Sequence, residues 1–246
     1  MTPGPPASSR VGLSQTDPVV GPQAEVVARI PGAAAHGLVA PPGCPALPAA
    51  RLADPAWLAR LIPQGTTSPR VRATVWWYSA SAVLTAPVLA GLAVGRPLSA
   101  RLEDTTVSLA PDGRPVAAVS AAGHADPVAG LRETLGAVVG ALAQVAGMRA
   151  RPLWAVATDS LANGLLGLGR ALGDVAAVTA LAAPLAAAVG PPLPAPRYVD
   201  VAGTRFTRRV SCCLVDRLPS GATCLSCPRR APGERQALLE SVARGH

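Results

Sequence analysis

Four of the chain's five cysteines fall between residues 212 and 227, as Cys212-Cys213, ten residues, Cys224, two residues and Cys227. No other feature restricts the backbone as tightly. Thiolates converge in this way to hold a metal or a cluster, and four of them are the usual complement of an iron–sulfur centre. Two residues between Cys224 and Cys227 let a tight turn aim both sulfurs at one side. Pro228 then stops the chain from continuing as a helix. The adjacent pair is less common. Neighbouring side chains of an extended strand point to opposite faces, so Cys212 and Cys213 can meet one centre only from a bent or bulged backbone. Structural zinc sites favour pairs about two to four residues apart. Two irons offer two places for ligands and tolerate less regular spacing. Pro219-Ser220-Gly221 reads as a turn that folds Cys224 back toward Cys213.

The chain has 246 residues, enough for one large or two small domains with a real core. All 22 basic residues are arginine, and the formal charge of +8 is spread along the sequence. Without a clustered basic stripe or a readable motif, nucleic-acid binding has no support. The only local concentration is Arg205, Arg208, Arg209, Arg217, Arg229 and Arg230, around the cysteines. Positive charge there stabilises thiolates and the reduced state of a cluster. It is equally the composition of a solvated surface tail.

The first 22 residues are rich in Pro, Gly and Ser, and no apolar segment follows a basic start. They do not read as a secretory signal, which places the thiols in a reducing cytoplasm where metal binding is favoured over disulfides. Cys44 stands apart, as a spare thiol in a Pro-Gly-Cys-Pro loop. Ala73 to Gly95 is uncharged and long enough to span a bilayer, but its Ser, Thr and Ala content suits a buried central helix, broken at Pro87. The expectation is a protein that is not integral to the membrane, with a membrane-proximal position left open.

The expected fold class is α+β, a mainly helical body with a central β-hairpin or small sheet and a C-terminal cysteine-rich segment. Residues 1–50 are expected to be largely disordered or loosely packed, 51–190 to form the body, and 191–246 the cysteine-bearing segment. Asp54 caps a helix that begins at Pro55 and stops at Pro63 and Gly65. A long helix follows from about Val71 to Val94. Residues 106–109 and 114–119 alternate like strands around Asp112-Gly113, a hairpin turn. Further helices are expected at 127–146, 153–172 and 175–189, then a rigid proline-rich linker at 191–196, an extended run at 205–214 and a short helix at 233–243. Gly164, Gly167 and Gly169 lie within a helical stripe and predict close helix packing.

The run Arg208-Arg209-Val210-Ser211-Cys212-Cys213-Leu214-Val215-Asp216-Arg217-Leu218-Pro219, followed by Cys224-Leu225-Ser226-Cys227-Pro228, resembles the carboxy-terminal signature of the FhuF-type ferric-siderophore reductases. Upstream, Thr74 to Ala80, the Pro-Asp-Gly hairpin and the helices before the tail are weakly similar to the body of that family. The resemblance implies a [2Fe-2S] cluster held by Cys212, Cys213, Cys224 and Cys227. It also implies one-electron reduction of Fe(III) in an imported siderophore, in the cytoplasm, with a separate electron donor. Val215-Asp216 departs from the family run; an acid beside a cluster disfavours reduction and lowers its potential. Arg205, Arg208, Arg209 and Arg217 are placed to attract an anionic chelate or donor, and Trp76, Trp77 and Tyr78 either line an aromatic recess or belong to the core.

No other catalytic constellation is present. His36, His124 and His246 stand alone, with none near the cysteines, so a Rieske-type ligand set has no support. There is no Walker A loop, dinucleotide fingerprint or nucleophile elbow. Two alternatives remain beside the reductase: a structural zinc-binding module, and an iron–sulfur sensor or electron carrier without a siderophore substrate.

Overall fold

The computed structural model describes residues 21–245 apart from Pro63, Ala125 and Ser220. The centre of the molecule is a helix pair, α3 (Pro69–Ala93) against α5 (Arg151–Leu172). Earlier in the chain come α1 (Pro22–Val27), a short strand β1 (Ala46–Pro48) and α2 (Pro55–Leu61). Asp54 caps α2 as its sequence requires, accepting from the Ala56 amide at 2.8 Å. The long helix runs unbroken through Pro87, contrary to the break expected there. A proline inside a helix costs about 3 kcal/mol. Burial of Leu84, Val88 and Leu89 on both sides of it offsets that cost.

The expected hairpin is present as β2 (Thr105–Leu109) and β3 (Pro115–Ser120), antiparallel with Val107 opposite Ala118. The strand β1 adds to its free edge, giving the order β1-β2-β3. Next are α4 (Pro127–Ala146), α5, α6 (Val175–Ala180) and α7 (Ala182–Val189). The single helix expected over 175–189 is divided at Leu181. Pro184 has no amide to bond the Ala180 carbonyl, so the first helix ends and Pro184 falls in the opening turn of the next.

Two further differences concern the segments flanking the body. Residues 21–50, expected to pack loosely, bury Val26, Leu38 and Ala49 completely. Gln23 is buried too and ties this segment to the sheet, donating to the carbonyls of Leu38 and Ala118. The expectation of disorder for residues 1–20 lies outside the described residues. The proline-rich stretch at 191–196 is docked rather than spanning: Leu193 is in the core, and Thr158 of α5 donates to the Pro194 carbonyl at 3.0 Å. After it, β4 (Tyr198–Val201) and β5 (Thr204–Thr207) form an antiparallel hairpin where only an extended run was expected. The last helix is α8 (Pro232–Ala243).

Among the described residues two helices, α3 and α4, are long and apolar enough to cross a membrane, and most of α3 is covered by the rest of the protein. Its close neighbour α5 gives the reason for one glycine. A Cβ at Gly164 would meet Leu89 Cδ1 at 2.7 Å, so α3 and α5 approach where the sequence offers no side chain.

Candidate metal centre

One face of α5 packs on α3 and another receives the tail. The Tyr198 hydroxyl donates to the Ala162 carbonyl at 3.0 Å, and Arg170 donates to the Arg205 carbonyl at 2.9 Å. One turn before Ala162 sits Asp159, whose side chain is 1% exposed. Its Oδ1 accepts from the Val210 amide at 2.8 Å. Its Oδ2 accepts from the Ser211 amide at 3.0 Å, from Ser211 Oγ at 2.6 Å and from Arg209 Nε at 3.3 Å. A buried carboxylate is tolerable only when it is paired and hydrogen-bonded, and every bond here comes from the three residues before Cys212.

Arg209 is buried with it, at 2% exposure. Its guanidinium lies over the Tyr78 ring, 5.1 Å from the centroid. One terminal nitrogen is 3.5 Å from Cys213 Sγ and 3.3 Å from Cys224 Sγ. The other terminal nitrogen is buried with no partner among the described residues. Burial opposes its charge, but Cys213, Asp159 and Tyr78 together push its pKa further up, so the guanidinium is a fixed cation.

Local backbone brings the sulfurs together. Leu214 adopts a left-handed conformation with φ 60°, immediately after the adjacent pair. This is the bend that two neighbouring cysteines need, and a non-glycine residue held there costs about 1–3 kcal/mol. A short 3-10 turn at Val215–Arg217 follows. Gly221 then returns the chain; a Cβ there would overlap the Val215 carbonyl oxygen, so only glycine fits. Across this loop the thiols meet in two pairs, Cys213 with Cys224 and Cys212 with Cys227, each pair drawing one member from each half of the motif. Cys213 and Cys227 are buried, while Cys212 and Cys224 are half-buried.

The electrostatics favour thiolate at one sulfur of the inner pair. The Cys213 thiol is held down at about 5, first by the Cys224 thiol that donates to it, then by the Val215 amide and Arg209, against burial. Cys224 is pushed up because it is the donor in that pair and is desolvated. Burial also pushes Cys212 up, with the nearby Cys227 and Asp216 adding to it.

Among the described residues, no three His, Cys, Asp or Glu side chains close around one point as a single ion would need. Four sulfurs arranged two by two, under a buried cation with an unspent N–H, fit a cluster of two irons. The inorganic sulfides of a cluster held there would offer acceptors to the Arg209 nitrogen, since an orphaned buried donor is otherwise costly. Residues 209–229 match the family described as the FhuF 2Fe-2S C-terminal domain. Over these residues the tail is similar to a FhuF-type iron–sulfur domain. Its cofactor is a [2Fe-2S] cluster, and the match begins at Arg209 and takes in all four clustered cysteines. No curated protein matches the chain.

The remaining candidate residues divide clearly around this FhuF-type domain. Of the four arginines singled out, only Arg209 enters the site. Arg205 pairs with Asp200 at 2.8 Å and secures the β4–β5 hairpin; Arg208 is exposed; Arg217 turns toward Asp216 at 3.8 Å. Asp216 itself lies 3.9 Å from Cys212 Sγ, but Arg229 holds it at 2.7 Å, which offsets the negative charge it brings to the cysteines. Trp76 and Trp77 belong to the core, their ring N–H groups donating to the carbonyls of Gly113 and Leu153. Tyr78 faces the site. Cys44 is a half-buried free thiol, and His124 accepts from the Asp126 amide, both away from the cysteines. His246 lies outside the described residues. Asp159 was not anticipated, although one signal was available: a lone acid in the otherwise uncharged run Leu153 to Leu161.

Proposed function

We propose that Cys212, Cys213, Cys224 and Cys227 hold the cluster, and that the protein passes one electron to Fe(III) in an oxygen-donor siderophore complex in the cytoplasm, releasing Fe(II). The observation that carries the redox reading is the buried Arg209, fixed by Asp159 and touching two of the four sulfurs. Bound there, a [2Fe-2S] cluster supplies reversible one-electron chemistry.

The chain's own groups do the rest. Arg209 adds a cation that cannot swing away, and so favours the more negative, reduced state of whatever the sulfurs hold. The carboxylate of Asp159 keeps that guanidinium at the sulfurs and seats the backbone of Val210 and Ser211 just before the first ligand. Burial of Cys213 and Cys227 excludes water from one side, while half-buried Cys212 and Cys224 leave the other open to exchange. The ferric ion takes one electron and no covalent bond is made or broken by the protein. Hard oxygen donors suit Fe(III) and bind Fe(II) far less well, so reduction is release. The sequence carries no nucleotide or flavin motif, which assigns electron supply to a separate one-electron donor protein.

The substrate reading rests on the likeness to the FhuF-type reductases. It is tested by mixing the reduced protein anaerobically with a ferric siderophore and a chromogenic Fe(II) chelator. Re-oxidation of the protein with one Fe(II) captured per cluster is expected. A protein that stays reduced, with no Fe(II) captured, is an electron carrier or sensor instead.

A further inference from the structure

A recess of about 420 Å³ opens between the middle and second half of α3, the middle of α5, the His36 turn and the start of β3. Besides Arg114 and Ser160, four polar side chains line it: His36, Tyr78, Ser79 and Asn163. None of their polar side-chain atoms makes a hydrogen bond among the described residues. His36, Tyr78 and Ser79 are half-buried and Asn163 is exposed, so all four can turn to a ligand in the recess. Arg114 at the rim spends its Nε on Asp112 at 2.6 Å and keeps further N–H groups. Burial lowers the pKa of His36, so its ring is neutral with one N–H to give, and it sits against α5 at Gly167. Hydroxyl, amide, imidazole and guanidinium donors aimed into one concavity suit a ligand whose surface is rich in oxygen acceptors.

The recess is also joined to the cysteine site. Tyr78 lines it, and the same ring carries the Arg209 guanidinium that touches Cys213 and Cys224. Ser160, next to Asp159, lines it as well. A second recess, of about 440 Å³, borders Leu218 and Pro219, but its Gln64 and Arg72 are turned onto backbone carbonyls.

We propose that the Tyr78–Asn163 recess is the seat of the oxygen-donor ferric chelate, held by the unspent donors of His36, Tyr78, Ser79 and Asn163. The proposal rests on the reductase reading and adds the place where the chelate binds. Bound there, the chelate is separated by one aromatic side chain, Tyr78, from the arginine that touches Cys213 and Cys224.

The test uses the full-length, cluster-loaded protein and a redox-inert probe, the gallium(III) complex of desferrioxamine B, titrated calorimetrically. Ala82 is exposed, lies on α3 and lines the recess, so Ala82→Trp fills it from the surface. Wild-type protein binds the gallium complex, Ala82→Trp binds at least tenfold more weakly, and Asn163→Ala loses roughly two- to tenfold, the worth of one hydrogen bond. The circular dichroism and the paramagnetic resonance of the reduced protein stay unchanged in both variants. Undiminished affinity in Ala82→Trp, or no binding to wild type while Fe(III) desferrioxamine still re-oxidises it, overturns the recess and leaves the reductase reading standing. Absence of both binding and re-oxidation removes that reading and the recess with it.

Discussion

The helical body and the cysteine tail are held together by opposite means. Around α3 and α5 the chain buries Trp76, Trp77, Leu89, Leu153 and Leu161 almost completely, and non-directional apolar burial does the work. From Arg208 to Ala231 there is one short 3-10 turn and no strand or α-helix among the described residues. That stretch is positioned by polar contacts: the buried Asp159 carboxylate at its start, and Arg230 and Arg235 on the carbonyls of Thr223, Cys224 and Cys227, with Gly221 admitting no side chain at the turn. A core spreads its stability over many contacts, so the loss of one is tolerated. A polar anchor concentrates it, so the loss of one partner is felt at once.

This contrast is open to breaking. The largest effect is expected from Cys213→Ser: iron and sulfide content fall to background while the far-ultraviolet circular dichroism of the body persists. Full iron with an unchanged visible spectrum would remove Cys213 from the ligand set. Asp159→Ala comes next. It leaves Arg209 buried without its carboxylate, a loss of about 3–5 kcal/mol for a broken buried pair. Expected outcomes are faster proteolysis within residues 208–231 and reduced iron per chain, with the body's helical signal retained. Leu161→Ala attacks the other region. Truncating that buried leucine removes about 2–5 kcal/mol, which at about 2–4 °C per kcal/mol for a chain of this size lowers Tm by about 4–20 °C. Cluster content and potential at ambient temperature are expected to stay as in wild type. The smallest effect is expected from Arg205→Ala, whose partners are Asp200 of the β4–β5 hairpin and Thr179 of α6, not the cysteines; iron content and potential should be unaltered.

The two regions also differed in how far the sequence disclosed them. Helices such as α4 and α5 carry apolar stripes at helical spacing, and Asp112-Gly113 announces the β2–β3 turn, because local backbone preference and burial agree there. The cysteine motif was legible for a related reason: few arrangements other than a shared centre use an adjacent pair and a Cys-x-x-Cys together. The anchoring was not legible. Asp159 is 50 residues from Arg209 in sequence, and no local pattern links an acid on a helix to the amides of a distant loop. The β4–β5 hairpin escaped notice because its strands are four residues each, too short for alternation to stand out. The recess was hidden likewise. His36, Tyr78 and Asn163 come from three separate elements, and each reads alone as incidental.

The central claim is that a cation fixed by the helical body governs the cluster held by the tail. An anaerobic redox titration of Arg209→Gln against wild type, followed by paramagnetic resonance, tests it most directly. Loss of a positive charge 3.3–3.5 Å from two sulfurs disfavours the reduced state, so the midpoint potential is expected to fall. A drop of about 60 mV or more is expected, the one-electron equivalent of a tenfold change in equilibrium constant. An Arg209→Gln protein with its cluster intact and a potential equal to or above that of wild type would contradict the claim.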